Sequence, residues 1–197
     1  DEIDKEAEKI GAVNTIDNKN GKLIGYNTDI FGFQKGLSEF NKLSIKKPVI
    51  LVGAGGSSEA IATALYKKGA KEIYVMNRSE AKAKKLEDKF NNVHHIKWLD
   101  YNYLNEAGLI INATSLGMVG YPDLNINFLN LQKDVKIYDI VYNPIQTRLI
   151  KKAILNKKEY VSGITMFLYQ AQKSFYIWFK KKAEVDNKIK QLIAKKI

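Results

Sequence analysis

The chain has 197 residues, enough for one full domain and part of a second, and its 45% hydrophobic content excludes global disorder. The absence of cysteine excludes disulfides, thiolate metal sites and a thiol nucleophile, and fits a reducing cytoplasm. The net charge of +11 is carried by scattered lysines whose pairs lie in separate segments (Lys67-Lys68, Lys84-Lys85, Lys151-Lys152, Lys157-Lys158), a solvated surface rather than a nucleic-acid face.

Two paired strands are expected first, within Gly11–Ile16 and Lys22–Asn27, around a turn at Asn18-Lys19-Asn20-Gly21. A helix over Ile30–Phe40 and a hinge at Asn41–Lys47 follow. From Pro48 onward strands alternate with helices, the pattern of a parallel sheet covered on both faces. The strands are expected at Val49–Val52, Glu72–Met76, His94–Trp98, Leu109–Asn112, Lys136–Ile140 and Tyr160–Val161. Apolar residues at helical spacing place helices at Ser58–Lys68, Glu80–Phe90 and Gln146–Asn156. After Gly163 the chain reads as one long or broken amphipathic helix to Ile197, with Phe175, Trp178 and Phe179 expected in a core and the lysine-rich end, Lys188 to Ile197, solvated. No stretch has the apolar length of a bilayer span, and the acidic start Asp1-Glu2-Ile3-Asp4 does not read as a signal peptide, so a cytoplasmic protein without membrane or nucleic-acid partners is expected. A monomer and a homodimer fit the sequence equally.

The most informative segment is the buried strand Val49–Val52 running into Gly53-Ala54-Gly55-Gly56-Ser57-Ser58. Glycines there allow a sharp turn and close approach of a pyrophosphate to the next helix's N-terminus, so the segment reads as a dinucleotide cradle. The next strand ends in Asn77-Arg78-Ser79 rather than in an acid that would clasp a ribose diol. Arg78 offers a fork of donors to a 2′-phosphate and Lys82 adds a second charge one turn on, which favours NADP over NAD. Asn112-Ala113-Thr114-Ser115-Leu116-Gly117-Met118 follows a third apolar strand and Tyr142-Asn143-Pro144 another, so several strand ends converge on one crevice. His94-His95 is read as no metal site, because adjacent strand residues point to opposite faces. Locally, Asp29 reads as the N-cap of the helix over Ile30–Phe40.

Taken in order, these segments closely resemble the shikimate dehydrogenase family. The resemblance rests on Gly11-Ala12-Val13-Asn14-Thr15, Gly25-Tyr26-Asn27-Thr28-Asp29, the turn Gly53–Gly56, Asn77-Arg78-Ser79, Asn112-Ala113-Thr114-Ser115, Asp139 through Pro144, and Gly163-Ile164-Thr165-Met166 followed by Gln170. It implies a Rossmann-like doubly wound parallel sheet at 48–161 that binds NADP. It also implies a partial second α/β domain for the substrate at 1–43, to which the helices of 163–197 return. The implied reaction is NADPH-dependent reduction of 3-dehydroshikimate to shikimate, in the route to chorismate and aromatic amino acids. Asn14, Asp29, Tyr142 and Gln170 are the implied substrate contacts, with Asp29 the acidic member of a catalytic Lys/Asp pair. Gly53, Ala54, Gly55, Gly56, Asn77, Arg78, Ser79 and Lys82 are the implied NADP cradle, and Thr114, Met118, Gly163 and Met166 the implied nicotinamide surroundings.

Two departures from the family pattern stand out. Glu59 occupies a position where the family often carries arginine. The family's Ser-x-Ser-Pro clamp and its Asn-Val-Thr-x-Pro-x-Lys motif, which carries the catalytic lysine, occur nowhere in these residues, so the chain is expected to be a truncated, nearly inactive form. A quinate/shikimate dehydrogenase using NAD and a non-catalytic NADP-binding module are the alternatives.

Overall fold

The computed structural model describes residues 1–194 and 196. In chain order its elements are β1 (Glu2–Ile3), α1 (Lys5–Ile10), β2 (Thr15–Lys19), β3 (Lys22–Tyr26), α2 (Asp29–Leu37), β4 (Val49–Val52), α3 (Gly56–Lys67), β5 (Ile73–Met76) and α4 (Glu80–Glu87). There follow β6 (Val93–Ile96), α5 (Tyr101–Leu104), β7 (Leu109–Asn112), β8 (Lys136–Asp139), α6 (Arg148–Leu155), β9 (Tyr160–Ser162), α7 (Gly163–Phe179) and α8 (Asn187–Ala194). Lys195 and Ile197, in the lysine-rich stretch expected to be a solvated helix, lie outside the described residues. Among the described residues no helix is long and apolar enough to cross a membrane.

Every residue of β4 is buried, because the strand is central in a six-stranded parallel sheet of order β6-β5-β4-β7-β8-β9. Counted from β4, this is the doubly wound order in which the chain reverses direction beside its first strand, leaving a crevice at the carboxyl ends of β4 and β7. The pleat sends Val49 and Leu51 into one core with α2 and α3, while Ile50 and Val52 enter a second core with α6 and the segment 124–135. Both faces are therefore covered, as the continuous apolar strand predicts.

The smaller sheet has order β1-β3-β2. β2 and β3 form an antiparallel hairpin whose Lys19–Lys22 pair closes on Asn20-Gly21, and the Asn18 side chain accepts the Gly21 N–H at 2.8 Å. Besides the short α5, two elements come in addition to the sequence expectation. β1 pairs parallel to β3, and α1 is bounded by Asp4, whose carboxylate accepts the Glu6 N–H, and by Gly11 in the left-handed region. The helix expected at Ile30–Phe40 starts one residue earlier, at Asp29.

The expectation that Phe175, Trp178 and Phe179 lie in a core is corrected: they are 37%, 49% and 58% exposed. The helical period puts Phe175 and Phe179 on the stripe of Ile164 and Leu168, but burial is nearly continuous only over the first turns of α7 and thins toward its C-terminal end, where the Trp178 indole N–H donates to the Ile16 carbonyl at 2.8 Å.

α2 joins the two sheets. A Cβ at Gly32 would stand 2.6 Å from the Met166 carbonyl oxygen, and one at Gly36 would stand 1.8 Å from the Tyr138 hydroxyl, so α2 lies closer to α7 and β8 than any other residue type permits. Tyr138 is fully buried and stacked on Phe33 with ring centroids 4.9 Å apart, and its hydroxyl has no hydrogen-bond partner among the described residues. An unpaired buried hydroxyl costs about 1–3 kcal/mol. Tyr138→Phe, which keeps the ring and removes the hydroxyl, is expected to stabilise the protein by about 1 kcal/mol, raising the melting temperature by roughly 2–4 °C in calorimetry. A lower melting temperature would show that the hydroxyl is satisfied.

Candidate active site

Gly53 follows β4 at φ +111°, and a Cβ there would meet Thr114 Cγ2 at 2.8 Å and the Ala113 carbonyl oxygen at 2.9 Å. The turn thus packs directly on the loop after β7, at the point where the strand order reverses. Around Gly55 and Gly56 nothing lies within 4 Å of an added Cβ, so the N-terminal turn of α3 is open to a ligand. These residues fit a dinucleotide: the backbone is approachable and the helix N-terminus favours an anion.

Side chains at the neighbouring strand end fix that turn. Asn77 accepts the Ala54 N–H at 3.2 Å and donates to the Ser79 carbonyl at 2.8 Å, tying the end of β5 both to the glycine turn and to the start of α4. The fully buried Ser58 accepts the Gly55 N–H at 3.0 Å. Arg78, Ser79 and Lys82 are exposed beside this turn. Gly53, Ala54, Gly55, Asn77, Arg78, Lys82, Trp98 and Thr114 line a cleft of about 350 Å³, completed by the loop residues Ser115, Leu116, Tyr121 and Pro122. A second groove of about 550 Å³ shares Ala54, Gly55 and Lys82 and continues along α4 past Lys85 to Lys89.

A polar cluster stands on the other side of the glycine turn. Asn14, immediately before β2, donates from Nδ2 to Asp29 Oδ1 at 2.9 Å and to Gln170 Oε1 at 3.5 Å. Its Oδ1 accepts the Thr28 N–H at 3.0 Å and the Thr15 hydroxyl at 3.1 Å. The Ser174 hydroxyl lies 2.7 Å from that of Thr15 and donates to the Gln170 carbonyl, so β2, α2 and α7 are locked where they meet. Asp29 is the first residue of α2 rather than its N-cap; the preceding residue is Thr28, and the Asp29 carboxylate faces Asn14 and Ser57. Burial pushes the Asp29 carboxyl above its ordinary value against the pull of its hydrogen bonds from Asn14 and Ser57.

Ser57 joins the two halves. Its hydroxyl, in the glycine turn, donates to Asp29 Oδ2 at 3.4 Å. Nothing in the local pattern singles out Ser57, because the contact spans 28 residues and depends on how α2 and α3 pack. The lysines at 82, 85 and 89 share a helical spacing that is visible in the sequence, though only the fold shows that they line a groove.

The other expected residues are placed as follows. Tyr142 is exposed and stacked on Phe167, with centroids 4.6 Å apart. Gly163 opens α7, Met118 is half-buried in the loop after β7, and Met166 is 5% exposed in the core beneath α2. Among the described residues no group of His, Cys, Asp and Glu could hold a metal ion, and His94 lies 2.9 Å from Glu72.

Two buried side chains hold the loops that border the crevice. Asn112, at the end of β7, accepts the Thr114 N–H and hydroxyl and donates to Asp139 Oδ1 at 2.9 Å. Asp139, at the end of β8, also accepts the Val141 N–H at 3.1 Å and the Thr147 hydroxyl at 2.6 Å, and Thr147 caps α6.

A family model described as "Shikimate / quinate 5-dehydrogenase" matches residues 35–119. A shikimate dehydrogenase (NADP(+)) of Pelagibacter ubique is 40% identical over 201 residues, covering 98% of this chain and 72% of the relative. The crystal structure of shikimate 5-dehydrogenase from Thermus thermophilus, in complex with NADP(H) and shikimate, matches with a TM-score of 0.85 at 29% identity, covering 100% of this chain and 72% of that one. Quinate dehydrogenase from Corynebacterium glutamicum, in complex with NAD, matches with a TM-score of 0.87 at 30% identity over 99% and 72% of the two chains.

Burial pushes the Asp139 carboxyl from 3.8 up to about 6, and its three donors pull it down by less. The folded state therefore holds this proton more tightly than the unfolded state does. The resulting stabilisation is complete below the ordinary value and is lost as pH rises through about 6. Asp139→Asn is expected to flatten the stability profile between about pH 4 and pH 7 in urea denaturation. A variant with the unaltered slope would remove Asp139 as its source.

Proposed function

The chain belongs to the shikimate dehydrogenase family, and on that premise we propose that it is an NADP-dependent shikimate dehydrogenase. The reaction is reduction of 3-dehydroshikimate to shikimate, in the supply of chorismate and aromatic amino acids. Bound NADPH supplies the hydride. The turn Gly53–Gly56 receives the diphosphate at the N-terminus of α3, and Asn77 keeps that turn in shape. Arg78, with Ser79 and Lys82, receives the 2′-phosphate through charge-assisted hydrogen bonds. Thr114, Met118, Gly163 and Met166 form the nicotinamide end.

Asn14, Asp29, Gln170 and Tyr142 hold the hydroxyl-bearing substrate in this reading. Asn14 keeps Asp29 and Gln170 on one side of the crevice, so both face a ligand with their geometry already set. Ketone reduction also needs a proton at the developing alkoxide, and a carboxyl group raised by burial is suited to holding one. The lysine that the family pairs with this aspartate belongs to a motif absent from these 197 residues, and within them Asp29 is the group placed to take part in that transfer. The observation that carries the proposal is the Ser57–Asp29 hydrogen bond, which sets the polar cluster against the dinucleotide turn. A cytoplasmic setting belongs to the same reading and is supported by the cysteine-free composition.

Nucleotide binding tests the cofactor half. In fluorescence titrations Arg78→Ala is expected to weaken NADPH about ten- to a hundredfold, the size of a charged hydrogen-bonding group, and to leave NADH nearly unchanged. An equal loss for both, or none, would take the 2′-phosphate away from Arg78. Tighter binding of NADH than of NADPH by the unaltered chain would move the assignment to the quinate/shikimate branch that uses NAD. For the substrate half, calorimetry with saturating NADP⁺ is expected to show shikimate bound about tenfold more weakly by Asp29→Ala. Unchanged affinity would remove Asp29 from the substrate site.

A further inference from the structure

The groove beside the glycine turn carries charges of both signs. Lys82 and Lys85 from α4, and Lys89 from the turn that follows it, line one wall, with Asp88 beside them; Glu59, in the first turn of α3, lines the other. Glu59 and Lys89 form an ion pair across the groove, and the Glu59 side chain is only 20% exposed. Lys82 lines this groove and also the cleft that contains Arg78, so the pair borders the region assigned to the 2′-phosphate.

We infer that the Glu59–Lys89 pair sets how strongly this chain discriminates between phosphorylated and unphosphorylated dinucleotides, an inference that rests on the groove being the dinucleotide site. Glu59 acts in two ways. It draws Lys89 toward α3, withdrawing one cation from the row on the opposite wall, and it places a carboxylate on the groove that receives a phosphate dianion. With Glu59 present the phosphate meets Arg78, Lys82 and Lys85 beside a neutralised pair. With Glu59 neutral, Lys89 joins them. Glu59 thus holds discrimination below what the lysine row alone would give. The glycine turn lines the same groove, but its ligand, the diphosphate, is common to both cofactors, so an effect of Glu59 there shifts both alike and leaves their ratio unmoved.

The test is a set of affinities for NADPH and NADH, read from nicotinamide fluorescence, for the unaltered chain, Glu59→Gln, Lys89→Gln and the double variant. Glu59→Gln is expected to tighten NADPH about three- to fivefold with NADH changed less than about twofold, the size of an exposed charge interaction. Lys89→Gln leaves the carboxylate uncompensated and is expected to weaken NADPH by a similar factor, and the double variant is expected to return close to the unaltered value. Normal NADPH binding with a ratio of affinities unmoved by Glu59→Gln, or with both cofactors shifted equally, overturns the inference alone. A chain that binds neither dinucleotide overturns the dinucleotide reading and the inference with it.

Discussion

The close approach of α2 to α7 and β8 is the constraint on which the arrangement depends. It requires hydrogen in place of a side chain at Gly32 and Gly36, and it brings the first residue of α2 to the crevice. Asp29 reaches Asn14 on one side and Ser57 on the other because the helix that carries it packs against α7 and α3. A larger residue at either glycine would push α2 outward and carry Asp29 away from the glycine turn. The geometry of the polar cluster is therefore set by packing some distance from it, through a rigid helix. This is how a side chain at the edge of one sheet is held against a loop of another.

Much of this was legible in the sequence, and what was not has a physical reason. The six parallel strands and their helices follow from short apolar runs alternating with helical spacing, and the tight hairpin from Asn20-Gly21. Those signals are local, and the fold obeys them. α1 carried its own signals, Asp4 before it and Gly11 after it, but its six residues are too few for a period to show. β1 has two residues and exists only because β3 offers it an edge. The aromatics of α7 mislead for a related reason. Period identifies a helix's stripes, but the neighbours decide how far along the helix a stripe is covered: Ile164 and Leu168 are buried, while Phe175 and Phe179 on the same stripe, at the C-terminal end of α7, are exposed.

The candidate site divides along the same line. The glycine turn and Arg78 declare themselves because their chemistry needs particular residue types at fixed spacing. Asn14, Asp29 and Gln170 become prominent only through the family pattern, since each would pass locally as an ordinary turn, cap or surface residue. The Ser57–Asp29 contact and the pairing of Glu59 with Lys89 carry no sequence signal, although Glu59 itself departs from the family pattern, because the partners lie 28 and 30 residues apart. Contacts of that separation are fixed by tertiary packing, and a local pattern holds no record of them.

Two carboxyl groups near the crevice show how one physical effect yields different roles. Burial raises both Asp29 and Asp139. Asp139 has no exposed surface, and its oxygens are taken by Asn112, Val141 and Thr147, so any change in its protonation is felt as a change in the stability of the strand ends it fastens. Asp29 is only partly buried and has one protein donor on each oxygen, Asn14 at 2.9 Å and Ser57 at the longer distance of 3.4 Å. The weaker of these contacts is the one on the side of the glycine turn, which leaves that oxygen the readier of the two to accept a ligand's hydroxyl. A carboxyl group that exchanges protons with a substrate needs a raised affinity for the proton together with an open path to it. Of the two, only Asp29 combines these properties, which is why the proposed chemistry falls on the less buried group.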